Sequence, residues 1–417
     1  MRFLRHLLLA AALAAPALAQ PSATAFHRRG GLPHVADIAT RGDGELRVAY
    51  LGGSITAAAN GWRSLTTAHL AAAYPKLHVV EIAAGLPGTG SDLGVCRLER
   101  DVLRHRPDLL FVEFAVNDAS TPPDRIERTM EGIVRQTRRA NPQTDIFFVY
   151  TVSTPGLPDL EAGRFPVAAT AMERVAGHYA IPSLHFGVEI ARRVSAGTLL
   201  FKAPDAPDDP RTFSLDGVHP TAAGHRIYFA AIEQVWPTLV TAPASKPTTL
   251  PAPLHADNWS HAALREIGTV NRTGEWSLVS PDDPNLRGAT KALLPPTWRT
   301  AEAGAALTVE FSGRTFGLLG IAAPDSGQFR VTIEGEEPVT DTFFDHYVTP
   351  SFCRPRPWFY PRPLADGPHR ARIDLLAEPV DKAAIKAKAG KTLAEPDRYA
   401  ANRLTLSGVL LVESAEP

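Results

Sequence analysis

A serine near one end of the first half of the sequence, and an aspartate and a histidine near the other, could together perform nucleophilic catalysis. Ser54 lies in the run LGGSIT, and Asp216 and His219 lie in the run DGVHP. A serine hydroxyl is a weak nucleophile until an imidazole accepts its proton, and that imidazole needs a carboxylate to fix its tautomer. Separately, a Gly-Gly-Ser turn and an Asp that caps a helix explain the same residues. Together they predict Ser54 as nucleophile, His219 as base and Asp216 as its orienting carboxylate.

Two further segments could supply the hydrogen-bond donors that a tetrahedral oxyanion needs. The Gly-rich run AGLPGTGS contains Gly88, and the run FAVND contains Asn117. A Gly-rich turn presents backbone amides without side chains in the way, and an Asn side chain ends in an amide donor. Ordinary turns and helix caps use the same residue types. The catalytic interpretation is favoured because Ser, Gly, Asn and His follow one another in chain order, each after a predicted strand or turn.

The elements that must position these residues are those of a parallel sheet flanked by helices. Four short apolar runs, RVAYLGG, LHVVEIA, DLLFVEFA and TDIFFVY, predict buried strands. Helical spacing between and after them predicts helices over 62–74, 92–104, 123–140, 167–179 and about 222–235. Such alternation is typical of an α/β domain, in which ligands bind at the carboxyl edge of the strands. All of the candidate residues are expected at that edge.

The Ser, Gly, Asn and His segments resemble the four sequence blocks of SGNH hydrolases, also called the GDSL-like lipase/acylhydrolase superfamily, over residues 46–236. This resemblance implies a flavodoxin-like three-layer α/β/α domain and an esterase. It assigns the catalytic triad to Ser54, Asp216 and His219. It assigns the oxyanion hole to the backbone amides of Ser54 and Gly88 and to the side chain of Asn117.

Three positions depart from the pattern of that family. Gly53 stands where an Asp usually precedes the nucleophile, Ala115 replaces a Gly, and Ala83 stands where an Asn often occurs. None of the three changes removes a group that bonds the reacting atoms. They therefore bear on the substrate more than on the reaction type.

The sequence divides into four predicted regions. Residues 1–19 have the basic start, apolar run and small-residue cleavage site of a signal peptide, so we expect a secreted or periplasmic protein. Residues 25–240 form the SGNH hydrolase domain, and the Pro-rich stretch 241–257 reads as a stiff exposed linker. Residues 258–417 contain short alternating runs that predict an all-β sandwich, jelly-roll-like, interrupted by a helical or loop-like run at 381–395.

Composition and motifs limit the binding partners and cofactors that this chain could have. The 43 Lys and Arg residues nearly balance 44 Asp and Glu residues, for a formal net charge of −1, which argues against nucleic acid or an anionic membrane as partner. After the signal peptide, no segment has the length and apolarity of a membrane span. No nucleotide-binding motif or cluster of metal ligands occurs, so no cofactor is expected. The two cysteines, Cys96 and Cys353, could pair or remain separate buried thiols.

The expected substrate is a small-molecule or polysaccharide ester, most plausibly an O-acetyl ester on a carbohydrate. Four of six tryptophans, Trp259, Trp276, Trp298 and Trp358, fall in the C-terminal part, and residues 354–362 mix aromatics with Pro and Arg. Such aromatics could hold sugar rings, although core packing explains them equally well. A resemblance to two-domain carbohydrate esterases favours the sugar ester. The alternatives are a lipid or short acyl-ester hydrolase, and a non-catalytic glycan-binding protein on the same scaffold.

Overall fold

The computed structural model of this chain describes residues 24–241, 249–286 and 293–414. The expected signal peptide therefore lies outside the described residues, as does the stretch 242–248 of the expected linker. The described residues form an α/β domain followed by a β domain.

The α/β domain is built on one six-stranded sheet with the order β1-β6-β5-β4-β2-β3. Strands β2 to β6 are parallel, and β1 is an antiparallel edge strand. Numbered 1 to 5 along the chain, the parallel strands have the order 2-1-3-4-5, the flavodoxin-like order that the resemblance implied. The strands are β1 (Phe26–His27), β2 (Gly44–Gly52), β3 (Leu77–Gly85), β4 (Leu109–Glu113), β5 (Asp145–Tyr150) and β6 (Ser183–His185).

Helices cover both faces of this sheet, and a short parallel pair, β7 (Leu200–Lys202) with β8 (Thr212–Ser214), precedes the last helix. Two apolar clusters, one on each face, enclose the sheet, and every residue of the central strands β4 and β5 is buried. The helices are α1 (Pro33–Arg41), α2 (Ser54–Ala57), α3 (Trp62–Ala73), α4 (Ser91–Cys96), α5 (Leu98–Asp101), α6 (Pro123–Ala140), α7 (Leu157–Glu161), α8 (Val167–His178), α9 (Phe186–Ser195) and α10 (Ala222–Val240).

Two helices differ from the sequence prediction for identifiable reasons. The predicted helix over 92–104 is broken at Arg97, whose buried guanidinium donates to the carbonyls of Gly52 and Ala84. Those bonds hold the side chain beneath the sheet edge instead of on a helix face. Helix α10 continues past the predicted end, with Pro237 inside it, because Trp236 and Leu239 on its apolar face are buried in the domain core.

The predicted all-β second domain is confirmed. Its strands pair only antiparallel and make two sheets that share the long strand β13 and enclose one apolar cluster. The run predicted to interrupt these strands is helical as α11 (Lys382–Lys388). The strands are β9 (Ala262–Glu266), β10 (Asn271–Thr273), β11 (Ser277–Leu278), β12 (Trp298–Thr300), β13 (Ala306–Ala322), β14 (Gln328–Ile333), β15 (Val339–Thr342), β16 (Arg354–Phe359), β17 (Pro368–Leu375) and β18 (Leu404–Glu413).

The two domains are packed against each other through a shared apolar cluster that includes residues of α4 and α6 with β13 and β18. Gln136 of α6 is buried and donates to the carbonyls of Val95, Trp259 and Ala262, which ties the helices to the entry of the β domain. Gly132 allows this approach, since a Cβ there would lie 2.6 Å from the Trp259 backbone. The β domain is therefore placed firmly against the α/β domain.

The second half of the expected linker lies against helices instead of standing free. The Glu131 carboxylate of α6 accepts the backbone N–H groups of Leu254 and His255, and the His255 ring contacts Glu127. The Arg135 guanidinium also donates to the carbonyl of Pro251. These contacts fix the residues that lead into the β domain.

Cys96 and Cys353 are both buried thiols in the same apolar cluster, one from each domain. Of the two possibilities left open by the sequence, the structure has the thiol form. Burial raises the pKa of the Cys96 thiol, which makes it unreactive as a thiolate near neutral pH.

Candidate active site

Ser54, His219 and Asp216 form one hydrogen-bonded chain at the carboxyl edge of the parallel sheet. Ser54 is the first residue of α2, directly after β2. Its Oγ lies 2.8 Å from Nε2 of His219, and Nδ1 of His219 lies 2.7 Å from Oδ2 of Asp216. With a carboxylate facing Nδ1, that nitrogen carries the proton and Nε2 is left to accept from the serine. The three residues predicted as a triad are thus brought together, 165 positions apart between Ser54 and His219.

The Asp216 carboxylate is held in its charged form. Its second oxygen, Oδ1, accepts the backbone N–H groups of Val218 and His219, each at 2.8 Å, and the hydroxyl of Ser214 at 3.0 Å. Partial burial opposes ionisation, but the bonds from the His219 ring and the two backbone amides outweigh it and hold the pKa of Asp216 well below its usual range. Asp216 can therefore stabilise a positive charge on His219.

The turn that carries His219 is fixed by its neighbours. Gly217 has a φ of 84°, which favours glycine, and a Cβ there would lie 2.2 Å from Oγ1 of Thr154. The carbonyl of Gly217 accepts both the N–H and the hydroxyl of Thr154, after β5. The imidazole is thereby attached to the same sheet edge as the nucleophile.

Glu113, the last residue of β4, lies buried beneath the nucleophile turn. Its carboxylate accepts the hydroxyls of Thr56 at 2.8 Å and Thr151 at 2.5 Å, and the backbone N–H of Gly53. Burial raises the pKa of Glu113, and these three hydrogen bonds oppose that shift. These contacts give Glu113 a structural role: it links the turn before Ser54 to the neighbouring strand ends.

The two predicted oxyanion segments contact the turn before Ser54: the N–H of Leu86 donates to the carbonyl of Gly52, and Asn117 lies against Gly53. Gly88 has a φ of 71°, a conformation suited to glycine, in the loop between β3 and α4. Asn117 follows β4, and its side chain lies against Gly53, so closely that a Cβ at position 53 would be 1.9 Å from Asn117 Oδ1. This contact gives a physical reason for the departure from the family pattern: a larger residue at position 53 would displace the Asn117 amide.

We expect Gly53→Ala to lower kcat by about 10²–10³-fold, because it moves Asn117 and so removes an oxyanion donor. Asn117→Ala should have the same effect, and adding Gly53→Ala to it should cost little more, as coupled residues are not additive. Initial rates on a small aryl acetate measure this. Gly177→Ala is the matched control, since nothing lies within 4 Å of a Cβ there. Additive losses in the double variant would show that Gly53 acts otherwise.

Asp118, next to Asn117, holds the Gly88 loop from behind. Its fully buried carboxylate accepts the backbone N–H of Ser91 at 3.1 and 3.3 Å. Burial, together with the nearby charge of Asp92, raises the pKa of Asp118 to about 7. Between pH 4 and 7 the folded protein therefore holds a proton at Asp118 that the unfolded chain has lost.

The contribution of Asp118 to the free energy of unfolding should consequently fall as pH rises from 4 to 7, by up to about 4 kcal/mol. The amide of Asp118→Asn does not titrate, so this variant lacks that pH-dependent loss of stability. We expect the unfolding temperature of this variant, relative to wild type, to rise steadily across this pH range. Asp37→Asn, at an exposed position of α1, is the control. A difference that is constant with pH would contradict the raised pKa.

Two cavities lie near the interface and the sheet edge. The smaller, about 150 Å³, lies between the segments after β4 and β5 and is lined mainly by small residues such as Ala115, Ala168 and Ala169. The larger, about 600 Å³, lies where the domains meet around Arg125, Trp259 and Phe359. None of the triad residues lines either cavity. Only the smaller cavity adjoins the Asn117 segment.

The tryptophans suggested as a sugar surface are mostly core residues. Trp259 and Trp358 are buried, and Trp298 is half-buried with the Arg272 guanidinium over its ring at 4.1 Å. Strand register turns Trp358 inward, where its Nε1 donates to Asp341. The exposed aromatics of the β domain are instead Tyr347 and Phe352, with 54% and 39% of their surface accessible; these positions carried no signal in the sequence.

One residue near the site was not anticipated. Arg354, at the start of β16, donates from Nη1 to the carbonyl of Gly88 at 3.3 Å, across the domain boundary. The two residues are 266 positions apart, so no local pattern could have indicated the contact. Among the described residues, no group of three or more His, Cys, Asp or Glu side chains is placed to hold a metal, and no helix is long and apolar enough to cross a bilayer.

Comparison with known proteins agrees with this architecture. Residues 50–227 match the model of the GDSL-like lipase/acylhydrolase family. The structure is similar to that of a two-domain esterase active on acetylated mannans, with a TM-score of 0.73 and 20% identity, over 94% of this chain and 98% of that one. It also matches an acetyl-xylooligosaccharide esterase from Geobacillus Stearmophilus, with a TM-score of 0.38 and 19% identity, over 47% of this chain and 94% of that one. No curated protein sequence matches the chain. At 20% identity, the first match shows that this chain and the two-domain esterase have the same fold over both domains.

Proposed function

We propose that this chain, an ester-bond hydrolase whose residues 50–227 match the model of the GDSL-like lipase/acylhydrolase family, removes O-acetyl groups from a carbohydrate by means of Ser54, His219 and Asp216. The observation that carries the proposal is the unbroken chain of hydrogen bonds from Ser54 Oγ through the His219 ring to the Asp216 carboxylate. Each member has the partner that its chemical role requires.

The reaction proceeds in two steps. Ser54 Oγ attacks the ester carbonyl while His219 Nε2 takes its proton, and the oxyanion is bound by the amides of Ser54 and Gly88 and the side chain of Asn117. Collapse breaks the bond to the sugar oxygen, which takes the proton from His219, and leaves an acetyl group on Ser54. A water molecule, deprotonated by His219, then attacks this acyl group, so that acetate leaves and Ser54 recovers its proton.

Three features support an acetylated carbohydrate as the substrate. The fold of both domains is that of an esterase active on acetylated mannans. Tyr347, exposed on the β domain, offers an aromatic ring beside Arg354, which reaches the Gly88 loop. An extracellular polysaccharide also suits a chain with the predicted signal peptide and export to the periplasm or medium.

The experiment that tests this function uses the chain expressed from Gln20, without the predicted signal peptide. It measures acetate released from acetylated mannan, xylan and pectin, beside hydrolysis of p-nitrophenyl esters of increasing chain length. We expect acetate release, and a steep loss of activity as the acyl chain grows. Preference for long acyl esters would favour the lipid hydrolase instead. Glycan binding without release of acetate from any ester would favour the non-catalytic scaffold.

A further inference from the structure

We propose that Arg354 of the β domain is a positioning residue for the oxyanion loop, so that the full rate of ester hydrolysis by this chain requires both domains. This inference rests on the proposed function, in which the backbone amide of Gly88 binds the oxyanion. Arg354 does not touch the substrate; it acts through Gly88.

The peptide group of Gly88 is held by a hydrogen bond from the other domain. Gly88 has a positive φ and lies outside regular secondary structure, in the loop that runs from the end of β3 to the start of α4. On one side, Ser91 is held by Asp118 and Thr89 donates to the carbonyl of Leu86. The carbonyl of Gly88 itself accepts from Arg354 Nη1 at 3.3 Å. A peptide group is planar, so fixing the orientation of one peptide plane in a short turn restricts its neighbours.

The Arg354 guanidinium is itself rigidly held. Its Nε and Nη2 both donate to Oδ2 of Asp345, at 2.8 and 2.6 Å, and the guanidinium lies over the Tyr347 ring at 5.2 Å. Both members of the pair are largely buried, with 20% and 12% of their side chains accessible. A charged donor with two bonds to one carboxylate has little freedom to leave Gly88.

Asp345 is in turn fixed by its own turn. Its Oδ1 accepts the backbone N–H groups of Tyr347 and Val348, and the carbonyls of His346 and Val348 accept from Lys386 of α11. Lys386 is buried, and burial lowers its pKa. The helix that interrupts the β strands thus supports the turn, which supports Arg354, which contacts the oxyanion loop.

The direct test compares Arg354→Ala and Arg354→Lys with wild type on a small aryl acetate, whose leaving group is too small to need the β domain. We expect kcat for Arg354→Ala to fall about 10–100-fold with KM changed less than about threefold, since small misplacements of catalytic groups cost up to about 100-fold. Arg354→Lys should recover part of the loss, and added guanidinium ion at millimolar concentration should partly restore Arg354→Ala. Arg314→Ala, which removes an exposed β-domain arginine paired with Asp366, is the matched control and should behave as wild type.

Hydrogen exchange provides a readout that does not depend on activity. In Arg354→Ala, the peptide covering residues 84–91 should exchange faster than in wild type and in Arg314→Ala. Unchanged kcat or unchanged exchange in Arg354→Ala overturns the inference, as does a loss that neither lysine nor guanidinium restores. If Arg354→Ala does not fold, Asp345→Asn and Arg354→Lys are judged by the same criteria. If wild type cleaves no ester, the proposed function is refuted. Faster exchange of residues 84–91 in Arg354→Ala would then still support the contact between Arg354 and Gly88.

Discussion

Replacement of Ser54 with alanine is expected to lower kcat for ester hydrolysis by about 10⁴–10⁶-fold, the largest effect of any single change in this chain. The alanine removes the Ser54 hydroxyl that lies next to His219, while the predicted oxyanion donors and the sheet edge remain. Acetate release from a small acetyl ester and from acetylated mannan measures the loss. The residual rate should be that of the site without a nucleophile, still above the rate in water.

The control for Ser54→Ala is the unfolding temperature, which should change little because the side chain is small and its one hydrogen bond lies at an accessible site. Ser64→Ala is the matched variant, since Ser64 bonds only a carbonyl in the first turn of α3. Retention of a tenth or more of the wild-type rate in Ser54→Ala would show that another residue is the nucleophile.

The second large effect is expected from Asp216→Asn, with a fall in kcat of about 10⁴-fold at neutral pH. An Asn at this position can still accept the backbone N–H groups of Val218 and His219 through its oxygen. Its amide NH₂ then faces Nδ1 of His219, which favours the tautomer with the proton on Nε2. That tautomer cannot accept a proton from Ser54.

Steady-state rates on the same esters measure this prediction. Asp209→Asn is the matched control, because Asp209 pairs with Arg211 on the surface of the same segment and has no contact with the triad. A loss smaller than tenfold in Asp216→Asn would mean that the carboxylate does not orient His219, and the triad assignment would then be wrong for this residue.

Much of the fold was accessible from sequence because its signals are local. The four buried strands and helices α3, α6 and α8 were predicted nearly to their observed bounds, since continuous apolar runs and helical spacing reflect burial directly. The break at Arg97 was missed because it depends on carbonyls far away in the chain. A buried arginine gives no local sign of which backbone groups it will satisfy.

The residues of the candidate site on the α/β domain were predictable because their signals are also local. The prediction was incomplete because one further contact joins residues that are far apart in the chain. Ser54, Gly88, Asn117 and His219 each follow a strand or precede a helix of one sheet, so topology alone brings them to one edge. Arg354 belongs to another domain, and its approach to Gly88 depends on how the domains pack. Likewise, no strand was predicted over residues 354–359, and nothing in the local sequence indicated that β16 forms there with Trp358 buried.

The measurement that tests the central claim most directly is covalent labelling of the chain expressed from Gln20 with a p-nitrophenyl phosphonate ester, followed by digestion and mass spectrometry. The account predicts one phosphonyl group per chain, on Ser54, with esterase activity lost in proportion to labelling, because only Ser54 has a base within hydrogen-bond distance in the catalytic arrangement described. An adduct on another residue that abolishes activity, or full activity after complete labelling of Ser54, would contradict it.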